Sequence, residues 1–272
     1  MVLEALRAPA LASSITWIEA APAERPALER VHPAAYLDAL AALAARGGGA
    51  IDPDTYLGPR SWESVLASAG VALRGVEAGL ETGTAFAATR PPGHHALAAR
   101  AMGFCFVNNI VVAARHAQAH GAARILIVDW DVHHGNGTQA LVEHDPTIRF
   151  VSLHQYPWYP GTGAADERGV GNVFNVPRPP GLPRAQYVRD LLEAVDAALV
   201  DWTPDALLVS AGFDSLDGDP LGGFTLQSDD IAAWTEALRA RMAGRPVIAL
   251  LEGGYRLDLL AAGSAALVRA LA

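Results

Sequence analysis

Residues 129–138 read Asp-Trp-Asp-Val-His-His-Gly-Asn-Gly-Thr, which places two carboxylates and two imidazoles within six positions. The four residues before them, Ile125-Leu126-Ile127-Val128, form an apolar run of the kind that makes a buried parallel strand. The ionisable groups therefore stand at the carboxyl end of a central strand, where open α/β sheets bind their ligands. Asp131 and His133 are one residue apart, so an extended backbone sends both side chains to the same face. A carboxylate and an imidazole converging on one point make half of a metal site. One Asp alone is usually a helix cap, and one His alone is usually packing. Four such groups in six residues are neither.

Other apolar runs end in the same way. Residues 206–211 lead into Gly212-Phe213-Asp214, and residues 246–251 lead into Glu252-Gly253-Gly254-Tyr255. Upstream, Ala85-Phe86-Ala87-Ala88 precedes Arg90-Pro91-Pro92-Gly93-His94-His95. Two prolines stiffen that loop and remove two backbone donors, so it can aim both imidazoles. Histidines with different hydrogen-bond partners can hold different pKa values, as an acid and a base must. Gly253-Gly254 lets the backbone come close to a ligand and presents the Tyr255 phenol to the same crevice. Asp131, His133 and Asp214 supply three oxygen or nitrogen ligands and no thiolate, the pattern of a catalytic zinc site with one open position. Such an ion lowers the pKa of water and polarises a carbonyl. His94 and His95 are candidates for moving the protons, and Tyr255 for donating to the oxyanion. The chemistry expected is metal-assisted hydrolysis of an amide.

These residues resemble the zinc-dependent histone deacetylase family, in its bacterial, class-II-like branch of the arginase–deacetylase fold. The likeness is carried by Arg90–His95, Gly103–Phe106, Asp129–Thr138, Ser152-Leu153-His154, Tyr159–Gly163, Ala211–Gly223 and Gly253-Gly254-Tyr255, in family order. It implies zinc on Asp131, His133 and Asp214. It implies further that His95 is the general base and acid, that His94 is its electrostatic partner oriented by Asp129, and that Asn136 orients His95. Tyr255 would polarise the acyl oxygen, Phe104 and Tyr159 would wall an acyl-lysine tunnel, and the Gly103 carbonyl would receive the substrate N–H. Leu221 resembles the apolar residue at the tunnel mouth, and Gly253 joins the substrate-binding set. A potassium ion near Asp129, Asp131, His133, Ser152 and Leu153 is also implied. Three activities are compatible with the residues: a deacylase of acyl-lysine in proteins or peptides, an amidohydrolase of small acylated amines such as acetylpolyamines, and an acyl-lysine binding module without turnover. Leu221 after Asp219-Pro220, in place of an acidic gatekeeper, favours the first over the second. The retained Tyr255 and ligands disfavour the third.

Composition sets the limits. The chain has 272 residues, enough for one large α/β domain over 1–272, and 51% of them are hydrophobic, which suits a sheet covered on both faces. The expected architecture is a three-layer α/β/α sandwich on a mainly parallel sheet. A net charge of −9 disfavours direct nucleic-acid binding and mildly favours cationic partners. All 20 basic residues are arginine, so the chain has no lysine of its own to acylate. The single cysteine, Cys105, excludes an intramolecular disulfide and is expected to pack beside the tunnel in a reducing cytoplasm. Neither a membrane span nor a basic signal segment is expected.

Helices are expected over 2–12, 34–46, 61–82, 105–120, 139–144, 184–201, 227–243 and 256–271, and strands near 84–88, 124–129, 148–152, 206–210 and 246–251. Ile51–Arg60 reads as a rim loop, and Arg178–Pro183 as a proline-rich loop. Relatives begin with a strand and an entrance loop before the first helix; here Met1 stands nearly at that helix, with Val2 where Arg is expected. Either the start is assigned too far downstream or the first strand and its loop are truly missing; the second case predicts a wider mouth, weak substrate binding and tolerance of acyl groups beyond acetyl. It also predicts an uncovered sheet edge of the kind that oligomerisation relieves.

Overall fold

The apolar runs assemble into the centre of the molecule, which a computed structural model describes over residues 1–272. In chain order the elements are α1 (Val2–Leu6), α2 (Pro9–Ala12), α3 (Arg25–Glu29), α4 (Ala34–Ala45), β1 (Gly49–Ala50), β2 (Tyr56–Leu57), α5 (Ser61–Thr82), β3 (Thr84–Ala87), α6 (Asn109–Ala119), β4 (Ile125–Asp129), α7 (Asn136–Val142), β5 (Ile148–Gln155), β6 (Val173–Arg178), α8 (Arg184–Leu199), β7 (Ala206–Ala211), α9 (Ser228–Met242), β8 (Val247–Leu251) and α10 (Leu257–Leu271). Six strands form one sheet in the order β3-β8-β7-β4-β5-β6, and every pairing is parallel. The short β1, just before the expected rim loop, pairs antiparallel with β2 inside it.

Strand side chains alternate between the two faces, and each face has its own core. Leu126, Val128, Leu207 and Val209 pack with Leu191 and Val195 of α8, Trp234 and Leu238 of α9, and Leu267 of α10. Ile125, Ile127, Leu208 and Ile248 pack on the other side with Val76 of α5 and Ile110 and Ala114 of α6. Because β4 and β7 are buried along their whole length, their sequences show no polar alternation. The three-layer α/β/α arrangement expected from the sequence is the one observed. No helix is long and apolar enough to cross a membrane.

Several boundaries differ from the sequence reading, each for a physical reason. The helix expected over 2–12 is two short helices, because Pro9 has no N–H to continue the first and starts the second at its first turn. The helix expected from 105 begins at Asn109. Asn108 is its cap, accepting the Val111 N–H at 3.1 Å, while Cys105 is occupied by a bridge to Met102. The helix near 139–144 starts earlier, at Asn136. Helix α3 was not expected, nor was β6, whose Asn175 and Pro177 break the apolar pattern. As an edge strand, β6 tolerates proline.

His32, after α3, joins this N-terminal region to the loop that carries His94 and His95. Its Nδ1–H donates to the Ala98 carbonyl at 2.9 Å, and its Nε2 accepts the Asn108 N–H at 2.9 Å. Burial holds this imidazole below its ordinary pKa of 6.5, so it is neutral in the fold. The unfolded chain takes up a proton at His32 that the folded chain refuses. Stability contributed here is therefore full above about pH 6.5 and falls as pH drops below it, by up to about 1.4 kcal/mol per pH unit for one proton. Urea titrations between pH 7.5 and 5 should show a shallower acid-side loss in His32→Gln than in the parent. Equal slopes would show that this imidazole does not set the acid limit.

Candidate metal centre and active site

Three adjacent strands build the centre. Asp131 and His133 follow β4, Asp214 follows β7, and Gly253 follows β8. Asp131, His133 and Asp214 are all buried, and one ligand atom from each lies within 4.8 Å of the others. His133 Nδ1 is 3.0 Å from Asp131 Oδ1 and 3.1 Å from Asp214 Oδ2. These spacings are close to the ~3.3 Å edge of a tetrahedron of ligands about 2.0 Å from a divalent ion. Backbone donors fix the carboxylates: His133 N–H donates to Asp131 Oδ1 at 2.9 Å, Gly253 N–H to Asp131 Oδ2 at 2.9 Å, and Val132 N–H to Asp214 Oδ1 at 2.9 Å. A side chain at position 253 would run into the carboxylates of Asp214 and Asp131, so only glycine lets the β8 exit come this close. Two carboxylates buried beside each other repel. Burial and the Asp131 charge push the Asp214 carboxyl up to about 7, whereas His94 and His133 hold Asp131 low despite its burial. The donor set, its spacing and its concentration of negative charge fit a divalent cation.

The loop after β3 delivers the two adjacent imidazoles. Glu252 anchors it, its Oε2 accepting the N–H groups of Gly93 at 2.7 Å and His94 at 3.2 Å, with Ser210 Oγ donating to its Oε1 at 3.2 Å. Burial pushes this carboxyl up to about 7. The rings of His94 and His95 lie 4.0 Å apart, yet each has a different partner. His94 Nδ1–H donates to Asp129 Oδ2 at 3.0 Å, while His95 Nδ1–H donates to Asn136 Oδ1 at 2.8 Å. Burial opposes charge on both rings. At His94 the Asp131 and Asp129 carboxylates overcome it and raise the pKa well above the ordinary value. At His95 the neighbouring His94 and His133 charges add to it and lower the pKa far below. The surroundings thus favour the charged form of His94 and the neutral form of His95, whose bare nitrogen is Nε2.

Around these groups stand the expected tunnel residues. Tyr159 meets His95 edge-on at 5.2 Å between centroids, and Phe104 meets Tyr255 at 5.8 Å. Gly103 has φ +56°, and a Cβ there would strike the His95 ring. Thr55 Oγ1 in the rim loop accepts the Phe104 N–H at 3.1 Å. Asp219 ties two loops together: its Oδ1 accepts from Leu221 N–H at 3.0 Å and its Oδ2 from Tyr255 N–H at 2.8 Å. Leu221 is 37% exposed. Burial, with the Asp214 and Asp131 charges, keeps the Tyr255 phenol above its ordinary range, so it is a donor at neutral pH. Asp129 and Ser152 face each other in the β4–β5 register, with Leu153 the next residue along β5. Cys105 is fully buried, and burial raises its thiol well above the ordinary value, as packing requires.

Glu252, Asp219 and Thr55 were not recognised as site residues from the sequence. Glu252 alone left a signal there, a carboxylate directly after an apolar strand; the other two act only through partners far along the chain.

A family model for the histone deacetylase domain matches residues 1–271. The histone deacetylase-like amidohydrolase of Pseudomonas aeruginosa is 42% identical over 247 residues, covering 87% of this chain, which spans 65% of that relative. The crystal structure of the HDA15 HD domain superposes with a TM-score of 0.95 at 34% identity, over 99% of this chain and 79% of that one. That of the acetylpolyamine aminohydrolase from Burkholderia pseudomallei gives 0.89 at 27% identity, over 98% and 89%. A match along nearly the whole chain, together with a buried Asp-His-Asp set beside paired imidazoles, places this protein in the histone deacetylase family, as a deacetylase-type hydrolase.

Proposed function

We propose that this protein hydrolyses the amide of acyl-lysine in peptides or proteins, with Asp131, His133 and Asp214 holding a zinc ion. That ion, when bound, supplies Lewis acidity toward water and the acyl oxygen. The acyl chain lies between Phe104 and Tyr159, with the Gly103 carbonyl accepting the substrate N–H and Gly253 and Leu221 flanking the entry. His95 Nε2 takes a proton from the attacking water, and the water oxygen bonds to the acyl carbon. Tyr255 O–H donates to the acyl oxygen as it becomes negative. His95 then returns its proton to the lysine nitrogen, the C–N bond breaks, and a carboxylic acid and a free amine leave. His94, held charged by Asp129, keeps His95 neutral until it is needed, and Asn136 keeps its ring aligned. A potassium ion beside Asp129, Asp131, His133, Ser152 and Leu153 would balance the buried carboxylates; the Asp129–Ser152 register supports that placement.

The observation that carries this reading is the pair of adjacent imidazoles, 4.0 Å apart and with opposite charge preferences, next to a buried Asp-His-Asp set. The Burkholderia neighbour makes acylated polyamines the reading to beat. At position 221 an apolar leucine stands where a carboxylate could pair with a polyamine's distal ammonium, and this argues for peptides. With the zinc-loaded enzyme, kcat/KM for an acetyl-lysine peptide should exceed that for acetylputrescine and acetylspermidine by at least about 10-fold, roughly the value of one charge-assisted contact. The reverse ratio would reassign the substrate to small amines, and no turnover of either would leave a binding module.

A further inference from the structure

A second constellation of metal-ligating residues lies between α5 and α6, away from the active centre. His116 and His120 are four residues apart at the end of α6, and Glu77 projects toward them from α5; one ligand atom from each lies within 4.8 Å of the others. We propose that Glu77, His116 and His120 form a second, structural site for a divalent transition ion such as zinc, bridging α5 to the C-terminal end of α6.

Glu77 and His120 are already oriented for the task. Two histidines at i and i+4 share one helix face, which is the spacing that lets both reach a single ion. The His120 Nδ1–H donates to the His116 carbonyl at 2.8 Å, so Nε2 is its bare nitrogen, and the ring is oriented as ligating histidines commonly are. His116 Nε2 stands 3.1 Å from Glu77 Oε1, close to the ~3.3 Å edge of a tetrahedral zinc site. Arg74 holds the other carboxylate oxygen of Glu77 at 3.2 Å and so fixes its orientation. The two imidazole rings lie only 4.2 Å apart, a spacing that a shared cation makes favourable and that two protonated rings would resist. His116 Nδ1 is buried without a hydrogen-bond partner, so this ring is not oriented by protein contacts on that side.

The end of a helix favours cations, because its last carbonyls carry partial negative charge. The ligand set of two imidazoles and one carboxylate suits zinc, nickel or copper over magnesium or calcium. Opposing this, the Arg74 and Arg30 guanidiniums line the adjacent cavity of about 390 Å³ with Glu77 and His116. Their charge makes the site weaker than the buried Asp-His-Asp set, which has two carboxylates and no basic neighbour supplied by arginine. The two sites should therefore fill in order, the catalytic one first.

The test is a calorimetric titration of Zn²⁺ into enzyme that already holds one equivalent. The parent should bind a second equivalent. His120→Ala, a change at an exposed position, should weaken only that second event by at least about 10-fold, and His116→Ala/His120→Ala should remove it. Turnover with the first ion in place should be unchanged in both variants, which also shows that they fold. His144→Ala, at an exposed histidine outside the cluster, should bind as the parent does. Excess Zn²⁺ should raise the melting temperature of the parent more than that of His120→Ala. A parent that binds one equivalent only, or a double variant that keeps the second, overturns the site.

Discussion

Asp214→Ala is expected to leave the protein folded but without its tightly held divalent ion, and to lower turnover by more than about 10³-fold. Two ligands remain, and a tetrahedral site with two protein ligands does not retain zinc against a chelator. The loss should exceed that of any single hydrogen-bond donor, for which about 10²–10³-fold is typical. Folding should survive for an electrostatic reason. Asp214 is a fully buried carboxylate next to Asp131, and burial pushes it up to about 7. Removing it takes away repulsion, so in a chelator the variant should melt at or above the temperature of the parent. Metal analysis of the purified variant, joined to a melting curve in EDTA, checks both parts. Stoichiometric zinc in Asp214→Ala would mean that Asp214 is not a ligand.

The second large effect is expected at His95 and Tyr255, and the two should differ in kind. His95→Ala removes the group that moves the proton and should lower kcat by about 10²–10⁴-fold. Tyr255→Phe removes one donor to the oxyanion, with an expected loss of about 10²–10³-fold and little change in KM. Neither change should release the metal, because neither residue is among its ligands. His94→Ala should also be slow, through its neighbour: without the adjacent cation, His95 is easier to protonate, and its pKa should move up toward the ordinary value. A Tyr255→Phe enzyme with near-parental kcat would reduce the phenol to packing against Phe104.

Much of this site was legible in the sequence because its chemistry sits at strand ends. Asp131, His133 and Asp214 each follow a run of residues too apolar to be anything but buried strand, and the parallel sheet brings such ends to one edge. Strand β6 was not legible, since Asn175 and Pro177 give it neither the apolar continuity of a central strand nor clean alternation. The break at Pro9 was visible as a residue, but the alanine- and leucine-rich surroundings outweighed it. The holding residues escaped for a different reason. Nothing local in Asp219 says that it will accept from Tyr255, 36 positions away in sequence, or in Thr55 that it will fix Phe104, 49 positions away. A hydrogen bond between distant residues is a property of the assembled sheet and loops.

The strand order has a consequence for how the chain is made. β3 pairs with no strand other than β8 in the large sheet, and β8 also covers β7, so the sheet closes only when residues 247–251 arrive. Thr84 must wait for Val247, about 160 residues later, a sequence separation that slows folding and keeps local structure from sufficing. A ribosome-bound chain that has not yet released β8 leaves both edges of β3 unpaired and one edge of β7 open. Such edges template aggregation, so this protein should depend on chaperones during synthesis and tolerate slow translation of its last quarter poorly. The same segment supplies the Gly253 N–H to Asp131 and the Glu252 carboxylate to the His94 loop. Sheet closure and assembly of the metal centre are therefore one event, and no shorter nascent chain should hold the ion.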